Sequence, residues 1–261
     1  MYDFDFVKPG SIEGAVKALA AEDAIPLAGG QTLLPSMKQR LNQPSALVSL
    51  RGIPELQGVC RDGDALVIGA ATTHARVAAE AGDYPGLAAL AGQIGDPAVR
   101  AMGTIGGSLA NNDPSACYPA AVLGSGATVV TNAREIEADD FFDGMFATAL
   151  EEGEIITSVR FPIPQKAAYA KFHQPASRFA LAGAFVAQFA DGVRVAITGA
   201  SEDGVFRWVQ AEAALKDNFS AEALSGLTLP AEGMIGDLHG TPEYRAHLAA
   251  VMTRRAVAAA G

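Results

Sequence analysis

Apolar residues recur along the chain in short, bounded groups whose spacing predicts strands and helices in irregular alternation. The opening Tyr2–Val7 alternates aromatic and acidic side chains, as a short strand does. Ser11 then stands as an N-cap before Ile12, Ala15, Val16 and Leu19, which form one face of a helix. Ile25-Pro26-Leu27 is a short extended run ending in Gly29-Gly30. Helical spacing resumes over Leu33–Arg40, and Leu47–Leu50 predicts a further strand. Together these make a small βαβ-like unit over roughly residues 1–55.

The continuous apolar run Leu66-Val67-Ile68-Gly69-Ala70 predicts a buried strand. Thr72 to Ala81 and Pro85 to Ile94 have helical spacing, and Pro119–Leu123 is a short helix. Ala127–Val130 and Glu135–Glu137 pair across Asn132 as a hairpin. Ile155–Phe161 is a strand stopped by Phe161-Pro162-Ile163-Pro164, because proline donates nothing to a ladder. That Pro-x-Pro is the expected domain boundary. Beyond it lie a strand at Ala168–Phe172 and a hairpin of Ala184–Phe189 and Val193–Thr198 around Asp191-Gly192. The last helix has Thr241 as N-cap, Pro242 at its first position, and Tyr244, Leu248, Val251 and Met252 on its apolar face. Without the regular βαβα rhythm of a doubly wound sheet, the expected class is α+β.

Composition narrows the function. The chain has 261 residues, 49% of them hydrophobic, enough for a real core and one or two domains. Its net charge of −10 argues against non-specific nucleic-acid or anionic-membrane binding, which needs a clustered basic surface. Cys60 and Cys117 cannot build a four-cysteine iron–sulfur or zinc site, and their spacing suggests no disulfide framework. The four histidines (His74, His173, His239 and His247) are scattered. No signal peptide is legible, and no window approaches the roughly 18 apolar residues of a spanning helix. The expectation is a soluble, cytoplasmic chain without a metal of its own.

Two glycine-rich segments carry the candidate chemistry. The first is Ala28-Gly29-Gly30-Gln31-Thr32-Leu33-Leu34-Pro35, between a strand and a helix. Paired glycines permit positive φ and remove the Cβ atoms that would block a ligand. Successive N–H groups can then converge on an anion, helped by the next helix N-terminus. The second, Thr104 to Pro114, repeats the pattern: Gly106-Gly107 flanked by Thr104 and Ser108, then Asn111, Asn112 and Asp113. Neither is a Walker A or a GxGxxG fingerprint. A lone glycine pair is more often a turn or helix cap. Two in one chain suit a long ligand with a central diphosphate, and by spacing alone ATP or CoA would serve as well as a dinucleotide.

AGGQTLLP followed by TIGGSLANNDPS resembles the FAD-binding medium subunit of the molybdenum hydroxylases, the carbon-monoxide dehydrogenase and xanthine dehydrogenase group. The resemblance runs almost end to end, through Asp139-Asp140-Phe141-Phe142, Gly153–Val159, Tyr169–Phe172 and Gly240–Arg255. It implies a PCMH-type FAD-binding domain at about residues 1–165, with subdomains of about 1–55 and 56–165, and a small C-terminal α+β domain at 166–261. It places non-covalent FAD against Ala28, Gly29, Gly30, Gln31, Thr32 and Leu33, and against Thr104, Ile105, Gly106, Gly107 and Ser108. Asp113 and Cys117 lie nearby, Ile155 or Ile156 packs by the isoalloxazine, and Lys171 lies close to the flavin, where a cation would favour the anionic reduced ring. A strand-end lysine snorkelling to the surface is the plainer reading of the same residue.

The resemblance also implies partners: a small subunit with two [2Fe–2S] clusters and a large molybdopterin subunit, in a dimer of heterotrimers. The FAD chain then relays electrons to an external acceptor and contributes no acid–base catalyst. A stand-alone flavin oxidase with its own substrate site is the alternative. In two places the chain departs from the pattern. Cys117 stands where the family often has aspartate, and Arg178 where many members have the aspartate of an RxxDxA element. His74 is expected to be a satisfied structural histidine.

Overall fold

The computed structural model describes residues 1–261 and organises them around three sheets. The first is parallel. It contains β1 (Asp5–Val7), α1 (Ile12–Leu19), β2 (Ala24–Leu27), α2 (Leu33–Lys38) and β3 (Ala46–Ser49), with strand order β1-β3-β2. The helix α1 begins where the Ser11 hydroxyl accepts the Gly14 N–H at 3.1 Å. Central β3 carries the apolar run Ala46-Leu47-Val48, all buried. Beneath it lies a small core of Ala15, Val48, Leu50, Ile53 and Leu56, completed by Ala71 and Ile155 from later in the chain.

The second sheet is antiparallel, with order β4-β5-β8-β6-β7. Its strands are β4 (Val59–Asp62), β5 (Ala65–Gly69), β6 (Thr128–Thr131), β7 (Glu135–Glu137) and β8 (Ile156–Pro162). Between β5 and β6 run α3 (His74–Glu80), α4 (Pro85–Gly92), α5 (Pro97–Met102), α6 (Ile105–Asn111) and α7 (Tyr118–Ser125); α8 (Ala138–Phe141) follows β7. The run at residues 66–70 is the buried β5, and the hairpin across Asn132 is β6–β7. Edge strand β4 and helix α5 are among the elements that the pattern does not predict. Edge strand β4 has no buried residue, hence no apolar alternation to read. The six-residue α5 also buries nothing, although Asp96 caps it through the Val99 N–H at 2.8 Å and Pro97 opens it.

The third sheet comprises β9 (Lys166–His173), β10 (Ala180–Gln188), β11 (Val193–Ser201) and β12 (Gly204–Arg207), antiparallel in the order β12-β11-β10-β9. The helices α9 (Val209–Asp217) and α10 (Pro242–Ala260) complete this unit. In β10 the side chains alternate between two cores. Phe185 and Ala187 join the core of the second sheet and its helices, while Ala184 and Val186 meet the core containing α9 and α10. A strand covered on both faces reads as a nearly continuous apolar run. Buried Arg245 ties α10 to this sheet by donating to the carbonyls of Leu181 (2.8 Å) and Gly199 (2.6 Å) and to Asp237 (2.8 Å). No helix is long and apolar enough to cross a membrane. The arrangement is the α+β class expected.

Candidate functional site

A cavity of about 700 Å³ draws its walls from the turn after β2, the α5–α6 region, the approach to β8, the middle of β9 and the β9–β10 loop. It gathers residues far apart in the chain. Ala28, Gly29, Gly30, Gln31, Thr32, Leu33, Thr104, Gly106, Gly107 and Ser108 all lie on its wall, as do Asp113, Cys117, Ile155, Ile156 and Lys171. Ile105 does not. It is the first residue of α6, and its side chain is fully buried in the core with Leu109.

The two glycine pairs play different parts. Gly30 takes a left-handed φ of +69°, and a Cβ on Gly29 would sit 2.6 Å from the Gly103 Cα, so the first segment runs directly against the backbone that leads into the second. The backbone N–H groups of Gly29, Gly30, Gln31 and Thr32 have no acceptor in the protein, which leaves a row of donors free for an anion. The second segment is not the expected loop. Gly106 and Gly107 lie in the first turn of α6, and their N–H groups are already used, by the Ala70 carbonyl (2.9 Å) and the Thr104 hydroxyl (3.2 Å). These glycines serve close packing: a Cβ on Gly106 would meet the Ala70 Cβ at 2.6 Å, and one on Gly107 would stand 3.3 Å from the Ala28 Cβ. One segment offers donors; the other supplies a wall without side chains.

Downstream of α6, Asn112 turns away from the cavity. It caps the helix in a left-handed conformation (φ 39°), and its amide donates to the Gly144 and Ala147 carbonyls at 2.8 Å. The Asp113 carboxylate accepts the Ser115 N–H at 2.8 Å, which fixes the turn leading to Cys117. The aliphatic wall at Ile155 and Ile156 is held by the residues around it. The Ile155 N–H donates to Asn132 Oδ1 at 2.7 Å, and the Arg134 guanidinium holds the neighbouring Glu154 carboxyl down at about 2.

Lys171 is buried in mid-strand and is not a snorkelling surface residue. Its ammonium donates to the carbonyls of Arg178 (2.8 Å) and Gln93 (2.9 Å) and lies 3.4 Å from the Cys117 sulfur. The Arg178 side chain is exposed, and Ser177 and Arg178 both adopt left-handed φ, of 57° and 58°. His74 also departs from expectation. It lies on the cavity wall, its Nδ1 has no partner, and burial with Arg100 nearby holds it down at about 4. The signal that links it to the site is long-range: Thr73 bridges to Thr104, and the His74 N–H donates to the Gly103 carbonyl at 2.9 Å. Free amides suited to a diphosphate, an aliphatic wall suited to a flat ring and a buried cation together fit a flavin dinucleotide.

Comparison with known proteins gives the same answer. Residues 2–164 match the family described as the FAD-binding domain in molybdopterin dehydrogenase. The chain is 36% identical to the carbon monoxide dehydrogenase medium chain of Afipia carboxidovorans, over 97% of this chain and 95% of that one. It is also 36% identical to the nicotine 6-hydroxylase medium subunit of Paenarthrobacter nicotinovorans, over 98% and 96% respectively. Among solved structures, reconstituted CO dehydrogenase from Oligotropha carboxidovorans superposes with a TM-score of 0.89 at 34% identity, covering 99% of this chain and 98% of that one. Quinoline 2-oxidoreductase from Pseudomonas putida 86 gives 0.87 at 31% identity, over 99% and 97%. The chain therefore belongs to the FAD-binding medium subunits of the molybdenum hydroxylase family, a family of oxidoreductases.

Proposed function

We propose that this chain is the electron-relay subunit of a molybdenum hydroxylase complex and holds FAD, without a covalent link, in the cavity between its glycine segments. The observation that carries the reading is the row of unpaired amides at Gly29, Gly30, Gln31 and Thr32, set against a wall stripped of side chains at Gly106 and Gly107. Those amides would bind the diphosphate, with the Thr32, Thr104 and Ser108 hydroxyls at its edges. Ile155 and Ile156 would line the isoalloxazine, and Lys171 would place its charge beside it. When bound, FAD supplies the capacity to take up electrons and pass them on, while the protein supplies binding, orientation and electrostatics.

Two free cysteines, exposed Cys60 and buried Cys117, are too few for a four-cysteine cluster, so the iron–sulfur clusters would sit on a small partner subunit, and the molybdopterin on a large one. A dimer of such heterotrimers is the assembly we infer, acting in the cytoplasm. We also assign residues 1–165 to FAD binding and 166–261 to a C-terminal domain. The two would not fold independently, because Tyr169, Phe185, Ala187 and Ala196 share a core with Tyr84 and Phe161.

The test is flavin content. The purified chain should carry close to one FAD. Gly107→Val, which pushes a branched side chain into the 3.3 Å gap beside Ala28, should lose most of it while keeping the wild-type far-ultraviolet circular dichroism. Full flavin in that variant would remove the glycine cradle from the proposal. Turnover of a substrate by this chain alone would replace the relay with a self-contained oxidase.

A further inference from the structure

A charge taken out of water is normally matched by an opposite one, and Lys171 is not. Its contacts are two backbone carbonyls and the Cys117 sulfur, with no carboxylate among them. The carboxylates on the same cavity wall are engaged elsewhere, Glu154 by Arg134 and Asp113 by the Ser115 N–H. The position from which a counter-charge could reach the ammonium most directly is residue 117, buried just before α7 and opening onto the cavity. Its surroundings are short of an acceptor. The hydroxyls of Tyr118 and Tyr169 are buried without a partner, and Tyr169 lies against the thiol. Sulfur accepts hydrogen bonds only weakly.

We propose that Cys117 is a positioning residue that sets how strongly Lys171 acts on the flavin. With cysteine rather than a carboxylate at 117, the ammonium has no carboxylate partner and acts on whatever fills the cavity. Reduction adds negative charge to the ring, so an uncompensated cation favours the reduced state and raises the potential. A carboxylate at 117 would pair with Lys171, accept from the waiting Tyr169 hydroxyl, and cancel most of that effect. The inference rests on FAD occupying the cavity.

The experiment compares the wild-type flavoprotein with Cys117→Asp and Cys117→Ser. The readouts are FAD per chain, the midpoint potential of the bound flavin, and its affinity for sulfite, an anion whose lone pair adds to the oxidised ring and leaves negative charge there. Cys117→Asp should lower the potential and weaken sulfite binding by about tenfold or more, the scale of one close charge pair in a partly screened site. Cys117→Ser, which likewise introduces no carboxylate, should shift neither. Equal shifts in both variants would mean that packing alone is at work, and an unmoved Cys117→Asp would mean that the charge at 117 is not felt. Either overturns the proposal. Should Cys117→Asp fail to hold flavin, Lys171→Gln must show the same falls in potential and sulfite affinity, and unchanged values there overturn it as well. A wild-type chain without FAD would overturn the functional reading too, whereas a flavin-replete wild type with unmoved variants overturns this inference alone.

Discussion

At the scale of single residues, burial decides behaviour that residue type leaves open. His74 is held at about 4, first by burial and then by Arg100, whereas an unfolded histidine titrates at about 6.5. Between these values the unfolded chain binds a proton that the folded chain refuses, so stability rises with pH across the window. The stability is therefore complete above about 6.5 and is lost as pH falls towards about 4, with about 2 kcal/mol gone near pH 5. His74→Gln should flatten this dependence, as urea midpoints measured near pH 7 and near pH 5 would reveal. A wild type as pH-insensitive as the variant would contradict it. The sequence offered His74 only as a scattered histidine. Its role depends on Gly103 lying beside the imidazole, a contact made across the chain. The glycine pairs were legible as residue types, but their division of labour was not. Whether the Gly106 N–H is free depends on the Ala70 carbonyl, 36 positions earlier.

At the scale of elements, the cavity wall depends on how α6 starts. Thr104 accepts the Gly107 N–H at 3.2 Å and is itself buried. Thr104→Ala should cost about 1 kcal/mol of stability. It should also reduce flavin content, because the glycine turn that forms the wall loses its cap. A thermal melt together with the bound-flavin spectrum checks both, and a destabilised variant with undiminished flavin would separate the cap from the site. Elements with one or two buried faces were legible from their periodicity, β5, β10 and α10 among them. Polar ones were not. The unanticipated α9 carries buried Glu212, and β12 ends in Arg207. Each is satisfied by the other at 2.6 and 2.8 Å, and Glu212 also accepts the Val195 N–H at 3.0 Å. No hydrophobic pattern announces an element held by such a network.

At the scale of the molecule, the three cores are unequal, and the smallest lies under the parallel sheet. It is completed by Ala71 and Ile155, which also line the cavity, so this unit's stability and ligand binding share the same residues. A ligand that binds only the folded state adds stability where it touches. Removing FAD should therefore speed amide exchange in β1, β2 and β3 well before it does so in β10 and β11, as hydrogen-exchange mass spectrometry would record. A uniform change across all three sheets would contradict that picture. The sequence by itself determined the α+β class, the order of most elements, the two glycine segments, and the lack of enough cysteines for a four-cysteine cluster site. These follow from local periodicity, backbone permissiveness and counting. Only the tertiary structure decided that the amides of the first segment are free and those of the second are used. It alone set Ile105 in the core, left the His74 Nδ1 without a partner, and buried Lys171 without a carboxylate to pair with. Hydrogen-bond satisfaction and desolvation are set by atoms that become neighbours only on folding.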